Sequence, residues 1–362
     1  MQGAEQGLGK ETVLVAMSGG VDSSVAAVLL HEQGYQVMGG MMRLWAEEGG
    51  PANRCCSPQA MDDASRLCQM LGVPFQIFDF EDEFKRHVVD YFVAEYGRGR
   101  TPNPCLACNR EIKFGLLLER AMALGANYLA TGHYARVRRE NGQYQLLKGV
   151  DAGKDQSYVL YMLGQDELAQ LLLPLGGYTK EEVRAMALER ELTAADREES
   201  QEICFTMGDY RQFLRIQPGV VFESGPILDL EGRVMGRHKG LPAYTIGQRE
   251  GLGIAAPQAL YVLEIDTKRN ALVVGQRPDL ARRELTAKEV SFVSGRPPLE
   301  PVHITAKIRY RAVASEALLT YVGGGAAKVR FVEPQPAITP GQGVVCYEED
   351  VVLGGGIIDE VR

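Results

Sequence analysis

Nowhere in the 362-residue chain is there an apolar run long enough to cross a bilayer. The opening Met1-Gln2-Gly3-Ala4-Glu5-Gln6-Gly7 is polar and lacks a hydrophobic signal core. These absences predict a cytoplasmic protein with no membrane partner, and a monomer is the expected state. Excess positive charge is missing as well: 39 Lys and Arg stand against 47 Asp and Glu, for a net charge of -8. A nucleic acid would therefore have to be held by local basic patches rather than by overall charge. There is no internal repeat and no extended low-complexity tract. Nor is the cysteine count even. Seven cysteines fit poorly with a fully paired disulfide framework and point to thiol chemistry or metal binding.

What is present starts with Ser18-Gly19-Gly20-Val21-Asp22-Ser23-Ser24. It follows the apolar run Val13-Leu14-Val15-Ala16-Met17, which reads as a buried strand. It opens a segment with Val21, Val25, Val28 and Leu29 on one helical face. Strand, Gly-rich turn and helix N-terminus together make an anion site, because backbone N–H groups and the helix dipole face outward. The hydroxyls of Ser18, Ser23 and Ser24 are expected to add donors. A plain strand-to-helix turn with serine caps is the alternative. The Lys-Ser/Thr ending of the Walker loop and the Gly-x-Gly-x-x-Gly spacing of dinucleotide folds are both absent.

Strand signals at 13–17, 36–43, 75–80 and 128–131 alternate with helix signals at 22–33, 58–71, 82–96 and 110–124. This alternation predicts an α/β fold with a doubly wound parallel sheet, whose ligands sit at the carboxyl ends of the strands. The Ser18 loop, Met42 and Gly132-His133 all fall at such ends. Residues 165–191 read as helical, with Thr179-Lys180-Glu181-Glu182 as a helix start. A Gly- and Pro-rich stretch at 218–256 suggests a small mixed domain. Short β-like runs at 288–293, 302–310, 316–322, 327–332 and 343–347 suggest a C-terminal antiparallel β-barrel or sandwich, with Gly323-Gly324-Gly325 as a hairpin turn. The expected domains are 1–206, 207–284 and 285–362. Along Ile304, Ala306, Ile308 and Tyr310 the period is two, which sends Lys307, Arg309 and Arg311 to the opposite face. That basic ribbon suits phosphates, and an edge strand with charged gatekeepers is the plainer reading.

Two cysteine settings stand out. In Thr101-Pro102-Asn103-Pro104-Cys105-Leu106-Ala107-Cys108-Asn109 the prolines force an extended loop. Asn109 is a candidate N-cap for the next helix, which would put Cys108 at a helix N-terminus, where thiolate is favoured. Arg110 and Lys113 add positive potential. Cys204, between Ile203 and Phe205, is ambiguous from its residues alone. Cys105 and Cys108 form a single Cys-x-x-Cys pair, weak metal support by itself. Cys55-Cys56 precede a predicted helix start, and Cys68 and Cys346 read as core.

Taken together, these stretches resemble the bacterial tRNA-specific 2-thiouridylases, within the PP-loop ATP pyrophosphatase superfamily. The resemblance runs through Met17–Ser24, Thr101–Pro104, Cys108-Asn109, Ile112-Lys113-Phe114 and Ala130-Thr131-Gly132-His133-Tyr134. It continues through Lys154-Asp155-Gln156-Ser157-Tyr158, Ser200-Gln201-Glu202-Ile203-Cys204-Phe205, His238-Lys239-Gly240, Tyr244–Arg249 and Ile308–Arg311. It implies ATP-dependent adenylation of the wobble uridine in a tRNA anticodon stem-loop. Sulfur is then transferred to carbon 2, with release of AMP and pyrophosphate. By the same resemblance ATP with Mg²⁺ occupies Ala16, Met17, Ser18, Gly19, Gly20, Val21, Asp22, Ser23, Met42 and Gly132. Cys204 carries a persulfide loaded by an upstream sulfur carrier or cysteine desulfurase. Cys108 is the partner nucleophile: it either liberates sulfide from Cys204 or attacks the persulfide directly, closing a Cys108–Cys204 disulfide that a reductant must reset. Asn103, Pro104, Cys105, His133, Lys154, Asp155, Gln156, Arg309, Tyr310 and Gln342 are the implied tRNA contacts. In one respect the chain departs from the pattern: Cys105 stands where some members carry an acidic residue. That leaves open a [4Fe-4S] cluster on Cys105, Cys108 and Cys204 in place of disulfide chemistry.

Overall fold

The computed structural model describes residues 11–46, 53, 56–192, 203–206 and 208–362. Cys55 and Ser200-Gln201-Glu202 lie outside the described residues. Two compact units are present, one of Met1–Lys85 with Cys108–Phe205 and one of Arg86–Ala107 with Thr206–Arg362.

In the first unit β1 (Thr12–Met17), α1 (Val21–Glu32), β2 (Gln36–Arg43), α2 (Pro58–Leu71) and β3 (Phe75–Asp79) follow in order. After α3 (Glu81–Phe84) the chain leaves this unit for a stretch that belongs to the second: a wide-turn π-helix (Lys85–Val89) that leads into α4 (Asp90–Gly97), and then α5 (Pro104–Ala107). A second wide-turn helix (Cys108–Leu117) runs into α6 (Leu118–Ala123), followed by β4 (Tyr128–Ala130), β5 (Ala135–Glu140) and β6 (Gln143–Lys148). The unit closes with α7 (Gln165–Ala169), β7 (Leu171–Leu172) and α8 (Lys180–Glu189). Its sheet is ordered β3-β2-β1-β4-β7 and its pairings are parallel. Val13, Leu14 and Val15 are each fully buried, as a strand covered on both faces requires. The strand order reverses between β1 and β4, so the Ser18 turn and Gly132 flank the switch point where such sheets bind ligands.

Two local expectations are corrected, and one element is added. Residues 165–191 are not one helix, because Leu171-Leu172 pair with Leu129-Ala130 as a sheet edge between α7 and α8. The β5–β6 hairpin was not anticipated; its exposed, charged strand β5 carries no clean alternation. Asn109 is no N-cap. The helix starts earlier, where the Asn103 side-chain oxygen accepts from Cys105 N at 3.0 Å and Pro104 takes the first helical position.

In the second unit α4 presents Phe92 and Tyr96 to α9 (Tyr210–Ile216), with ring centroids 6.3 Å apart for Phe92–Phe213 and 4.9 Å for Tyr96–Tyr210. That aromatic face places residues 86–107 with the C-terminal half of the chain. A mixed sheet follows: β8 (Pro226–Leu228), β9 (Val234–Arg237), β10 (Tyr261–Asp266) and β11 (Ala271–Gly275), ordered β10-β11-β8-β9. The rest is a barrel of β12 (Ala281–Phe292), β13 (Val302–Lys307), β14 (Ser315–Gly323), β15 (Ala326–Pro336), β16 (Gly343–Glu348) and β17 (Val351–Val361). Its antiparallel order is β12-β15-β14-β13-β16-β17, and β17 pairs back onto β12. Closure removes the free edges. The sequence hid β17 behind Gly354-Gly355-Gly356. These glycines are required by close approach: a Cβ on Gly354 would lie 2.1 Å from the Ser291 carbonyl oxygen, and one on Gly356 would lie 2.8 Å from that of Lys288.

Candidate functional site

The turn after β1 is braced from within. Gly19 has φ +66, and a Cβ there would sit 2.5 Å from the Ala60 carbonyl oxygen, so only glycine lets the turn pass α2. Ser23 Oγ donates to Gly20 O at 3.1 Å and accepts from Ser18 N at 3.1 Å, while Ser24 Oγ donates to Gly20 O at 3.0 Å. The hydroxyls of Ser23 and Ser24 thus shape the loop rather than stand as outward donors, because first-turn serines reach the carbonyl three and four residues back. No side chain caps α1 at Gly20. The helix N-terminus therefore keeps its anion-binding character. Gly132, at the end of β4, packs on the same turn: its Cβ would fall 2.9 Å from Asp22 C and 3.0 Å from Ser23 N. Met42 is buried on β2, and Ala16 and Met17 end β1.

Asp22 has partners that sequence reasoning missed. Lys180 Nζ lies 2.7 and 2.9 Å from its two carboxylate oxygens, and Tyr134 Oη donates to it at 2.7 Å. The Lys180 side chain is only 6% exposed against 31% for Asp22. Lys180 is the first residue of α8, whose cap is the Thr179–Glu182 box. A lysine at that end opposes the helix dipole, and this misfit was the available signal that its ammonium is needed elsewhere.

Cys108 lies half-buried where α5 runs on into the wide-turn helix, a turn past the helix start and so not at the N-terminus expected for it, and Cys204 is half-buried ahead of Phe205. Both belong to the first unit. Their carriers share a neighbour: α3 packs on the wide-turn helix, and its Phe84 meets Phe205 edge-to-face at 5.8 Å. Asn109, 2% exposed, donates through Nδ2 to Val159 O at 2.8 Å, and its Oδ1 is buried with no partner among the described residues. Burial pushes the Cys68 thiol up to about 11 and the Cys346 thiol up to about 12, so both stay protonated at neutral pH. Cys105 is exposed. The cluster set of Cys105, Cys108 and Cys204 does not assemble: among the described residues no three His, Cys, Asp or Glu side chains gather as a metal-binding group. Also among the described residues, no helix is long and apolar enough to cross a membrane.

The remaining predicted residues are placed as follows. His133 is 8% exposed, accepts or donates at 2.7 Å with Thr131 Oγ1, and packs on Phe114. Burial, and then the charge of Lys113, holds its pKa well below the ordinary histidine value, so the ring is neutral. Asp155 spends both oxygens on Gly149 N and on the backbone and hydroxyl of Ser157. Gln156 grips Tyr134 through both that residue's N–H and its carbonyl. Lys154 is half-buried beside them. On the barrel, Ile304, Ala306 and Ile308 are buried as expected, but β13 ends at Lys307. Arg309, Tyr310 and Arg311 therefore stand in the turn that follows, not on a continuous ribbon. Arg309 donates to Pro336 O at 3.1 Å. Gln342 Nε2 donates to Thr101 O at 2.8 Å.

Three family models match the chain in succession: the tRNA methyl transferase HUP domain over residues 11–208, the tRNA methyl transferase PRC-barrel domain over 212–276, and the aminomethyltransferase beta-barrel domain over 282–358. Among curated relatives, the tRNA-specific 2-thiouridylase MnmA of Roseiflexus sp. (strain RS-1) is 52% identical, with 96% of this chain and 98% of that protein covered. The protein of the same name from Moorella thermoacetica is 51% identical, with 96% and 99% covered. That from Carboxydothermus hydrogenoformans is 49% identical, with 98% and 99% covered. With a nucleotide loop and two half-buried thiols in one unit and a closed barrel in the other, and at such identity over nearly its full length, the chain belongs to the tRNA-specific 2-thiouridylase (MnmA) family.

Proposed function

We propose that the protein is an ATP-dependent tRNA-uridine 2-sulfurtransferase that uses Cys108 and Cys204. The observation that carries this reading is the pairing, within one compact unit, of an uncapped helix N-terminus braced by Gly19 and Gly132 with two half-buried cysteines whose carriers both pack on α3. ATP with Mg²⁺ fits this turn, since Gly19 lets it pass α2, Gly132 lets β4 close on it, and the α1 N-terminus has no side-chain cap, which leaves its amides for a pyrophosphate. When bound, ATP supplies the adenylyl group that makes the C2 oxygen of the base a leaving group. Ala16 through Ser23, Met42 and Gly132 hold and orient it. Lys180 balances the Asp22 carboxylate, which would otherwise repel the phosphates.

The target uridine leaves the anticodon stack at a cost of a few kcal/mol, about the least for a single-stranded loop. Asn103, Pro104 and Cys105 form its receiving loop. His133, Lys154, Asp155, Gln156, Arg309 and Tyr310 serve tRNA binding. The outer sulfur of a Cys204 persulfide attacks C2, and AMP departs. The Cys108 thiolate then attacks Cys204 Sγ, and the bond from that atom to the transferred sulfur breaks. The base keeps the sulfur as a thiocarbonyl, a Cys108–Cys204 disulfide remains, and a two-electron reductant restores both thiols. A persulfide-bearing carrier or a cysteine desulfurase loads Cys204, and the enzyme acts as a monomer.

The test is nucleoside mass spectrometry of tRNA incubated with enzyme, ATP, Mg²⁺ and a persulfide donor. 2-Thiouridine is expected from the unaltered protein and none from Cys108→Ser or Cys204→Ser. Full thiolation by either variant refutes the assignment of that cysteine.

A further inference from the structure

By resemblance Gln342 is an implied tRNA contact, yet its side chain is turned onto the protein. Its Nε2 donates to the Thr101 carbonyl at 2.8 Å. The same short segment holds Thr101 twice more. Thr101 N donates to Pro340 O at 2.9 Å, and Gly341 lies so close that a Cβ would be 2.9 Å from the Thr101 carbonyl carbon and oxygen. Gly341 has φ +93, a conformation that glycine alone adopts without strain. The clasp is itself fixed to the barrel. Gly341 N donates to Ile358 O, and Ile358 N donates to Gln342 O, each at 2.8 Å. The carbonyl of Ile358, a fully buried residue of β17, also receives Arg100 Nη2 at 3.0 Å. Arg100 in turn binds Glu95 at 2.7 Å and Asp359 at 2.9 Å. Residues 100 and 101 are thus bound to one barrel strand and the segment laid along it. Asn103, Pro104 and Cys105 begin two residues later, and Asn103 caps the helix that leads toward Cys108.

We propose that Gln342 is a positioning residue for the substrate loop. Through the Thr101 carbonyl it sets the backbone from which Asn103, Pro104 and Cys105 meet the uridine, and its effect on the reaction runs through that loop rather than through affinity for tRNA. The turnover arm of the test rests on the thiouridylase reading above; the structural arm does not. Gln342→Met keeps the bulk and removes the donor, and Gln342→Ala removes both. Each is compared with the unaltered enzyme for tRNA dissociation constant, kcat for 2-thiouridine, and hydrogen exchange of the Thr101 to Leu106 amides. Loss of the anchor is expected to lower kcat by about tenfold to a hundredfold, the scale of a misplacement near 1 Å. The tRNA dissociation constant should stay within about twofold, and exchange at Thr101 to Leu106 should speed up. A weakened tRNA affinity with unchanged kcat overturns the proposal in favour of a direct contact. So does unchanged exchange, and so does a loss of kcat matched by loss of melting temperature in both variants. Should the unaltered enzyme make no 2-thiouridine, the thiouridylase reading fails, and the exchange measurement alone decides whether Gln342 holds the loop.

Discussion

The Asp22–Lys180 pair makes a quantitative test of how the nucleotide loop is built. Removing one partner from a buried ion pair costs about 3–5 kcal/mol, because a charge is left behind in a poorly solvated place. The two ends are unequally buried, at 6% exposure for the Lys180 side chain and 31% for Asp22. Lys180→Met leaves the better-solvated charge, so its cost should fall below that range, at about 2–3 kcal/mol. Asp22→Asn strips the carboxylate from the more deeply buried ammonium and should cost more, about 3–5 kcal/mol. The double variant leaves neither charge, so it should be more stable than the sum of the two losses implies, with a coupling of about 2 kcal/mol. Urea denaturation without nucleotide measures all four proteins free of any effect of ATP. If the two losses add to within about 0.5 kcal/mol, or if Asp22→Asn is the milder change, the pair does not carry the load assigned to it.

Two further outcomes follow from buried titratable groups. With its folded pKa held well below 6.5, His133 binds a proton more readily in the unfolded chain. Its contribution to stability is therefore intact above about pH 6.5 and is lost as pH falls from there toward the folded pKa, at up to about 1.4 kcal/mol per pH unit. His133→Gln should flatten that acid limb in denaturation series from pH 7 to pH 5, and an unchanged limb refutes the burial argument. For the thiols, brief alkylation of the native protein at pH 8 followed by peptide mass spectrometry should label Cys105, Cys108 and Cys204 before Cys68 and Cys346. The latter two are buried, with pKa values pushed to about 11 and about 12. Early labelling of Cys346 contradicts its place in the barrel core.

Much of the first unit was legible because parallel strands buried on both faces leave continuous apolar runs, as Val13 to Met17 do, and because Gly19 and Thr179 mark turns and caps with their own chemistry. The barrel was legible up to β17, where glycines chosen for close approach erase the alternating pattern. The site was legible as motifs and not as contacts. Ser23 and Ser24 announce a phosphate loop, but that their hydroxyls turn back on Gly20 depends on three-dimensional reach. Lys180 is 158 residues from Asp22 along the chain, and Gln342 is 241 from Thr101. No local periodicity records such partners. Asn109 reads as a cap because it follows a proline-rich stretch; the true start at Asn103-Pro104 is equally visible in the residues, but the same two prolines also fit an extended segment.

The wide-turn helix from Cys108 to Leu117 holds a residue more than ordinary winding would need, and Gly115 stands close to the Arg110 carbonyl, whose oxygen is 3.0 Å from where a Cβ would lie. Winding in this way sets a compass bearing. Downstream, Ile112, Phe114 and Leu117 are fixed by the core, so the surplus residue decides which way the thiol at the head of the helix points. Rewinding the segment to common α-helical pitch with all ten residues kept would turn Cys108 around the axis relative to that core, because each residue would then advance about 100°. The sulfur would remain but face a different neighbour.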